Sequence, residues 1–306
     1  MTHSARWYMD VAGQIMAGMG ARTNDALIQY VEEQGLSDRL DLNLIQVAWG
    51  FRPDPVTPET FVKRTPYANP DDIVSRLAGA VERGWLEDLG GNRYTVSNRG
   101  MEVADGLFEL GDRLFAALET LPGTELERLI ALLFTVVETA RQLPEPADKY
   151  ALSWGAKFSR GPDAPLMVRA RRFMLDLFSY RDDAHIAAWQ PYGASGQEWE
   201  AFSMVWQGDA STAAELAEKL PYRHYDEAAY EEALQSLATR AWLVKEGQAY
   251  AATEKGKRLR QEAEDATDRY FDAAWVCLNE AEMEECKGLL GKLAAVLKPP
   301  EEELAE

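Results

Sequence analysis

The 306 residues predict a mainly α fold in which one unit occurs twice. Three observations carry that expectation. First, Gly84-Trp85-Leu86, a glycine turn, Tyr94-Thr95-Val96-Ser97 and Gly100 return as Ala241-Trp242-Leu243, a turn at Gly247, Tyr250-Ala251-Ala252-Thr253 and Gly256. Second, the offset barely drifts across a whole half. It is 156 for Gly100 to Gly256 and for Asp112-Arg113 to Asp268-Arg269, 155 for Pro66-Tyr67 to Pro221-Tyr222, and 158 for Asp25-Ala26 and Gly35 to Asp183-Ala184 and Gly193. Third, apolar residues between these landmarks recur at helical spacing, and each half carries one hairpin signature. The units are expected at 1–145 and 146–300, with the seam near Pro144-Glu145-Pro146 and an acidic tail at 301–306.

Each element can be justified in order. A helix (26–33; 184–189) runs up to a glycine, which suits the left-handed turn after a helix end. A second apolar helix follows (42–49; 199–206). A short third helix opens at Thr57 or Thr212, an N-cap type with an acid close behind, Glu59 or Glu215. Pro66-Tyr67 and Pro221-Tyr222 turn the chain into the next helix (70–83; 226–240), where Ile73, Leu77, Ala80 and Val81, or Ala233, Leu234 and Leu237, mark the buried face. Two short strands around a glycine turn read as an antiparallel hairpin. A long charged helix (98–119; 254–276) and a final helix (124–142; 280–297) close each unit.

Helix, helix, turn, helix and hairpin is the winged helix-turn-helix order. With long helices on both sides, each half resembles the MarR-like regulators, on Trp85-Leu86, Tyr94-Thr95-Val96-Ser97 and Gly100, and on Trp242-Leu243, Tyr250, Thr253 and Gly256. The second half is also similar to a little-characterised bacterial helix-turn-helix family, through Arg181-Asp182-Asp183-Ala184-His185-Ile186-Ala187-Ala188 and Glu264-Asp265-Ala266-Thr267-Asp268-Arg269. The MarR likeness implies that 98–142 and 254–297 pack together as an intrachain pseudo-dimer, monomeric in solution. It also implies a DNA-binding transcriptional regulator. The alternative is a protein- or small-molecule-binding module whose winged units have lost DNA.

Composition narrows the function. Acidic residues number 51 against 32 basic, a formal charge of −19, which disfavours non-specific adhesion to phosphate backbones and anionic lipid. Two cysteines, Cys277 and Cys286, exclude a disulfide scaffold or a multi-cysteine metal site, and three histidines leave little for a histidine-based one. The longest apolar run, 129–137, is far short of the ~20 residues that span a bilayer. The first ten residues show no secretory pattern. We expect a cytoplasmic protein without membrane contact. No GxSxG, HExxH, CxxC or Walker-type loop occurs, and Gly90-Gly91 serves a hairpin turn. No catalytic residue, metal or cofactor is expected, and the chain is not read as an enzyme.

Double-stranded DNA would meet the fourth helix and the wing of each unit. The first unit offers Ser75 and Arg76 on the helix and Arg93 and Arg99 about the wing. The second offers Asp226, Glu227, Glu231 and Glu232 on the helix, which repel phosphate. Its Lys245, Lys255, Lys257, Arg258 and Arg260 either reach phosphate or pair with nearby acids. DNA, if bound, is expected on the first unit. The path from Tyr222 to Trp242 is 20 residues against 18 from Tyr67 to Trp85, so the halves would not present identical half-sites.

A basic stretch (Lys157, Arg160, Arg169, Arg171, Arg172, Arg181) either takes an anionic partner or docks on the acidic remainder of the chain. Trp154, Tyr180, Trp189, Tyr192, Trp199 and Trp275 either line a small-molecule or protein site between the repeats or fill the core. His185, between apolar neighbours, reads as a packing histidine.

Overall fold

The computed structural model describes residues 5–36 and 39–298, without the side chains of residues 39 and 40. The expected acidic tail at 301–306 lies outside the described residues. The fold is mainly α with two small hairpins. The first half runs α1 (Arg6–Glu33), α2 (Arg39–Phe51), α3 (Pro58–Arg64), α4 (Pro70–Glu82), β1 (Leu86–Asp88), β2 (Tyr94–Val96), α5 (Asn98–Ala116) and α6 (Gly123–Gln142). After a short α7 (Tyr150–Ala156) the same order returns. It comprises α8 (Leu166–Trp189), α9 (Gly196–Gln207), α10 (Ala213–Lys219), α11 (Glu227–Thr239), β3 (Leu243–Glu246), β4 (Ala249–Ala252), α12 (Glu254–Ala273) and α13 (Glu280–Leu297).

Local chemistry explains the boundaries. Thr57 and Thr212 close capping boxes over α3 and α10. Ser97 and Thr253 cap α5 and α12, each hydroxyl accepting from the glycine N–H three residues on, at 3.0 Å in both. Leu86 pairs with Val96 and Leu243 with Ala252, both antiparallel. Each second strand also bonds to a residue just ahead of the short helix: Val56 N donates to the Tyr94 carbonyl at 2.8 Å, and Tyr250 N donates to that of Ser211 at 2.7 Å.

Three apolar cores result. One belongs to the first winged unit, around Ile45, Phe61, Ile73, Leu77 and Trp85. A second belongs to its counterpart, around Trp199, Phe202, Leu216, Tyr230 and Leu234. The third is a helical bundle in which α1 packs on α13 and α5, while α8 packs on α6 and α12. Each half thus lays its first helix against the last helix of the other half. Of the helices expected to pack together, α6 and α13 do meet, whereas α5 and α12 lie against α1 and α8. Among the described residues no helix is long and apolar enough to cross a membrane.

Candidate nucleic-acid interface

The first unit presents α4 and the β1–β2 wing. Asn69 caps α4, its Oδ1 accepting from Asp71 N at 3.0 Å. Ser75 is exposed on the helix, and Arg76 is half-buried and paired with Asp72 at 3.6 Å. Arg93 stands exposed beside the wing turn, with no carboxylate partner among the described residues. Arg99 is exposed too, its guanidinium stacked 4.1 Å over the Trp85 ring, which restricts it without neutralising it.

The second unit disposes of its cations differently. Lys245 Nζ donates to Glu231 at 2.6 Å, and the Tyr250 hydroxyl donates to the same carboxylate at 2.8 Å. The Lys245 hydrogen bond, with one from Gln235, pushes the Glu231 carboxyl down to about 2. Lys255 donates to the Arg240 carbonyl, Lys257 pairs with Glu254, and Arg260 is buried against Glu264. The wing lysine of the second unit is therefore closed on a carboxylate, whereas Lys255 and the exposed Arg258, both on α12, have no carboxylate at ion-pair distance among the described residues.

The two units also touch, at the segments leading into α4 and α11. Asn69 donates through Nδ2 to the His224 carbonyl at 2.8 Å and through its backbone N–H to that of Arg223 at 3.3 Å. The Tyr225 hydroxyl donates to the Ala68 carbonyl at 3.2 Å, and Trp189 Nε1 donates to the Tyr67 hydroxyl at 3.1 Å. His224 faces Asp72 at 3.9 Å. Arg223 is held across the seam, bidentate on Glu200 and over the Tyr67 ring at 5.3 Å. Paired recognition helices that enter successive major grooves stand about 34 Å apart. Here their leading turns are hydrogen-bonded together, so this arrangement does not admit such a duplex. Nothing in the sequence signals that contact, because its partners lie 155 residues apart.

Residues 177–299 match the model of a family described as a helix-turn-helix family. The matched stretch begins within α8 and runs through α13, so the similarity covers the second winged unit with its flanking helices. Neither the curated proteins nor the solved structures gave a match to the chain.

The aromatic candidates separate cleanly. Trp154 lines a cavity beside the first unit. Trp189 and Tyr192 stack on the fully buried Trp199 at 5.7 and 6.1 Å, and all three belong to the second core. Tyr180 is buried in the bundle, donating to the Tyr270 carbonyl at 2.8 Å, and Trp275 packs against Tyr8 at 5.1 Å. The basic stretch turns mostly inward: Arg160 binds Asp112 at 2.8 Å, Arg172 binds Asp176 at 2.8 Å and Arg181 binds Asp268 at 3.1 Å. Sequence reasoning missed Asp183, whose carboxylate accepts from Ala151 N and Leu152 N at 2.8 and 2.9 Å and so caps α7 from α8. Burial outweighs those bonds and pushes its carboxyl up to about 6.

His185 is a packing histidine with a pH consequence. Its Nε2 accepts from Trp199 Nε1 at 3.3 Å and its Nδ1 lies 3.4 Å from the Thr267 hydroxyl, a pattern that suits the neutral ring. Burial, then the nearby Arg260, hold its pKa down to about 4, against the pull of Glu264. A pKa below the unfolded value of about 6.5 stabilises the fold above that pH, and the contribution is lost as pH falls through 4. Between pH 6.5 and 4 the native chain should lose on the order of 2–3 kcal/mol more stability than His185→Gln, measured by urea unfolding. The comparison cancels the opposite trend from Asp183. Parallel losses would show that the ring carries no such linkage.

Proposed function

We propose that the chain is a tandem duplication of a MarR-like winged unit, folded as an intrachain pseudo-dimer, and that it regulates transcription by binding DNA through its first unit. The recurring element order and the exchange of first and last helices between halves support the pseudo-dimer. The observation that carries the DNA reading is the wing asymmetry: Arg93 stands open where Lys245 is closed on Glu231. Ser75 and Arg76 on α4 and Arg99 beside the wing complete the candidate surface. The hydrogen-bonded seam holds the leading turn of α4 against the second unit, and it is then a closed state that has to part before that turn can enter a groove.

Salt-titrated binding to a genomic fragment pool tests the reading. Arg93→Ala with Arg99→Ala should weaken binding to all fragments and flatten the salt slope by about two phosphate contacts. Lys245→Ala with Lys255→Ala should do much less. Asn69→Ser with Tyr225→Phe, which keeps the α4 cap and removes two cross-unit bonds, should strengthen binding. Equal losses from the two cation pairs would overturn the asymmetry. A second reading, a non-enzymatic protein-binding module, is favoured by the acids on α4 and α11 and by their joined leading turns. Absence of binding at low salt, even by the opened variant, selects it.

A further inference from the structure

The seven residues of α7 join the first winged unit to the helical bundle. Tyr150 and Trp154, four apart on one face, pack against the first winged core. Trp154 lies under the Arg64 guanidinium of α3 at 4.7 Å, and a Cβ at Gly50 of α2 would stand 2.7 Å from its indole nitrogen. The Tyr150 hydroxyl donates to the Thr60 carbonyl at 3.3 Å, and Lys63 pairs at 2.8 Å with Asp148, just ahead of the helix. Ala151, Leu152 and Gly155 make the buried face. Leu152 belongs to the bundle core, and a Cβ at Gly155 would lie 3.2 Å from Arg172 and 3.3 Å from Asp176 of α8. In the element order α7 stands once, between the two runs, so the second winged unit carries no counterpart among the described residues.

A helix this short does not hold in water alone, where about 12–15 residues are needed. Its own N-cap, Lys149, gives no side-chain cap. The N–H groups of Ala151 and Leu152 donate instead to Asp183 of α8, at 2.8 and 2.9 Å. Asp183 is 4% exposed. We infer that α7 is a strap that releases separately from the rest of the fold, and that Asp183 is its proton-operated catch, gripping in acid and easing as the pH rises.

The groups facing Asp183 set the sign. Asp182 beside it on α8 and Arg64 from α3 oppose each other, and α7 presents its N–H groups. Burial outweighs the rest and pushes the carboxyl up to about 6. Once the strap leaves, water reaches Asp183 and its pKa returns toward the ordinary value of about 3.9. The docked strap therefore holds a proton that the released one gives up. That contribution is complete in strong acid and lost as the pH rises through 6, so release should be about tenfold more favourable at pH 8 than at pH 5. Release unties α2 and α3 from the bundle. The inference stands apart from DNA binding, because release is read on the free chain.

Amide hydrogen exchange on the full chain, corrected for the intrinsic rate at each pH, tests it. Amides of residues 153–156 should be less protected than those of α6 at every pH, and their protection should fall about tenfold from pH 5 to pH 8. Asp183→Asn should abolish that fall. Asp182→Asn, a change at an exposed residue that removes a like charge, should move the bend in the profile to lower pH. Protection of α7 equal to that of α6, a fall that survives Asp183→Asn, or a bend that Asp182→Asn leaves in place would each overturn the catch. If Asp183→Asn does not fold, the native profile and the Asp182→Asn shift decide.

Discussion

Asp176→Ala is expected to cost about 3–5 kcal/mol of stability, a loss readable in urea unfolding. Asp176 is 1% exposed on α8 and joins Arg172 of the same helix, at 2.8 Å, to Arg141 of α6, at 3.2 Å. It therefore ties the first helix of one half to the last helix of the other. Burial, and to a smaller extent Glu138, push its carboxyl up, and the two guanidiniums pull the other way. The cost of truncation comes chiefly from what remains: Arg172, largely enclosed, would lose its counter-charge. Removing both charges should hurt less than removing one. Asp176→Leu with Arg172→Met is expected to recover at least half of the loss, since an apolar pair in a buried place is often neutral. A loss below about 1 kcal/mol for Asp176→Ala would mean that solvent reaches the pair.

Much of the fold was legible because its signals are local. The capping hydroxyls Thr57, Ser97, Thr212 and Thr253, the glycine turns and the spacing of Ile73, Leu77 and Ala80 each act within a few residues, and each element stands where those signals place it. The beginnings of α1 and α8 were not legible. In α1 the buried Tyr8, Ala12, Ile15 and Met19 have helical spacing, but Gly13, Gly18 and Gly20 lower the local propensity. Gly18 is there for a distant reason: a Cβ would lie 2.0 Å from the Leu297 carbonyl oxygen of α13. In α8 the arginines drew attention to charge, while Met167, Ala170, Met174 and Leu177 between them formed the buried face. The exposure of Ser75, Arg93 and Arg99 followed from their place on a winged unit. Whether a tryptophan lines a cavity or fills a core depends on neighbours from other elements, so Trp154 and Trp199 looked alike in sequence and parted in the fold.

Gly256→Ala and Gly100→Ala should each destabilise the chain by on the order of 3 kcal/mol. An exposed helical glycine would give the opposite sign, since alanine is the better helix former by about 1 kcal/mol. Here a Cβ at Gly256 would stand 2.1 Å from the Trp242 carbonyl oxygen, and one at Gly100 would stand 2.4 Å from that of Trp85. Neither oxygen is free to retreat. The Trp242 carbonyl accepts from Thr253 N at 3.0 Å and the Trp85 carbonyl from Ser97 N at 3.1 Å, the bonds that tie each wing to the helix after it. To admit a methyl group, the helix has to lift from the strand, and the cap over its first turn is strained with it. The disturbance should stay within the unit that carries it, because the two winged cores are separate. Gly100→Ala should therefore loosen the wing that holds Arg93 and Arg99 and weaken the proposed DNA binding, while Gly256→Ala should leave that binding nearly intact at temperatures where both variants are folded. Urea unfolding gives the stabilities and salt-titrated binding the affinities. A gain in stability from either substitution would show that the helix and wing are not in contact at that glycine.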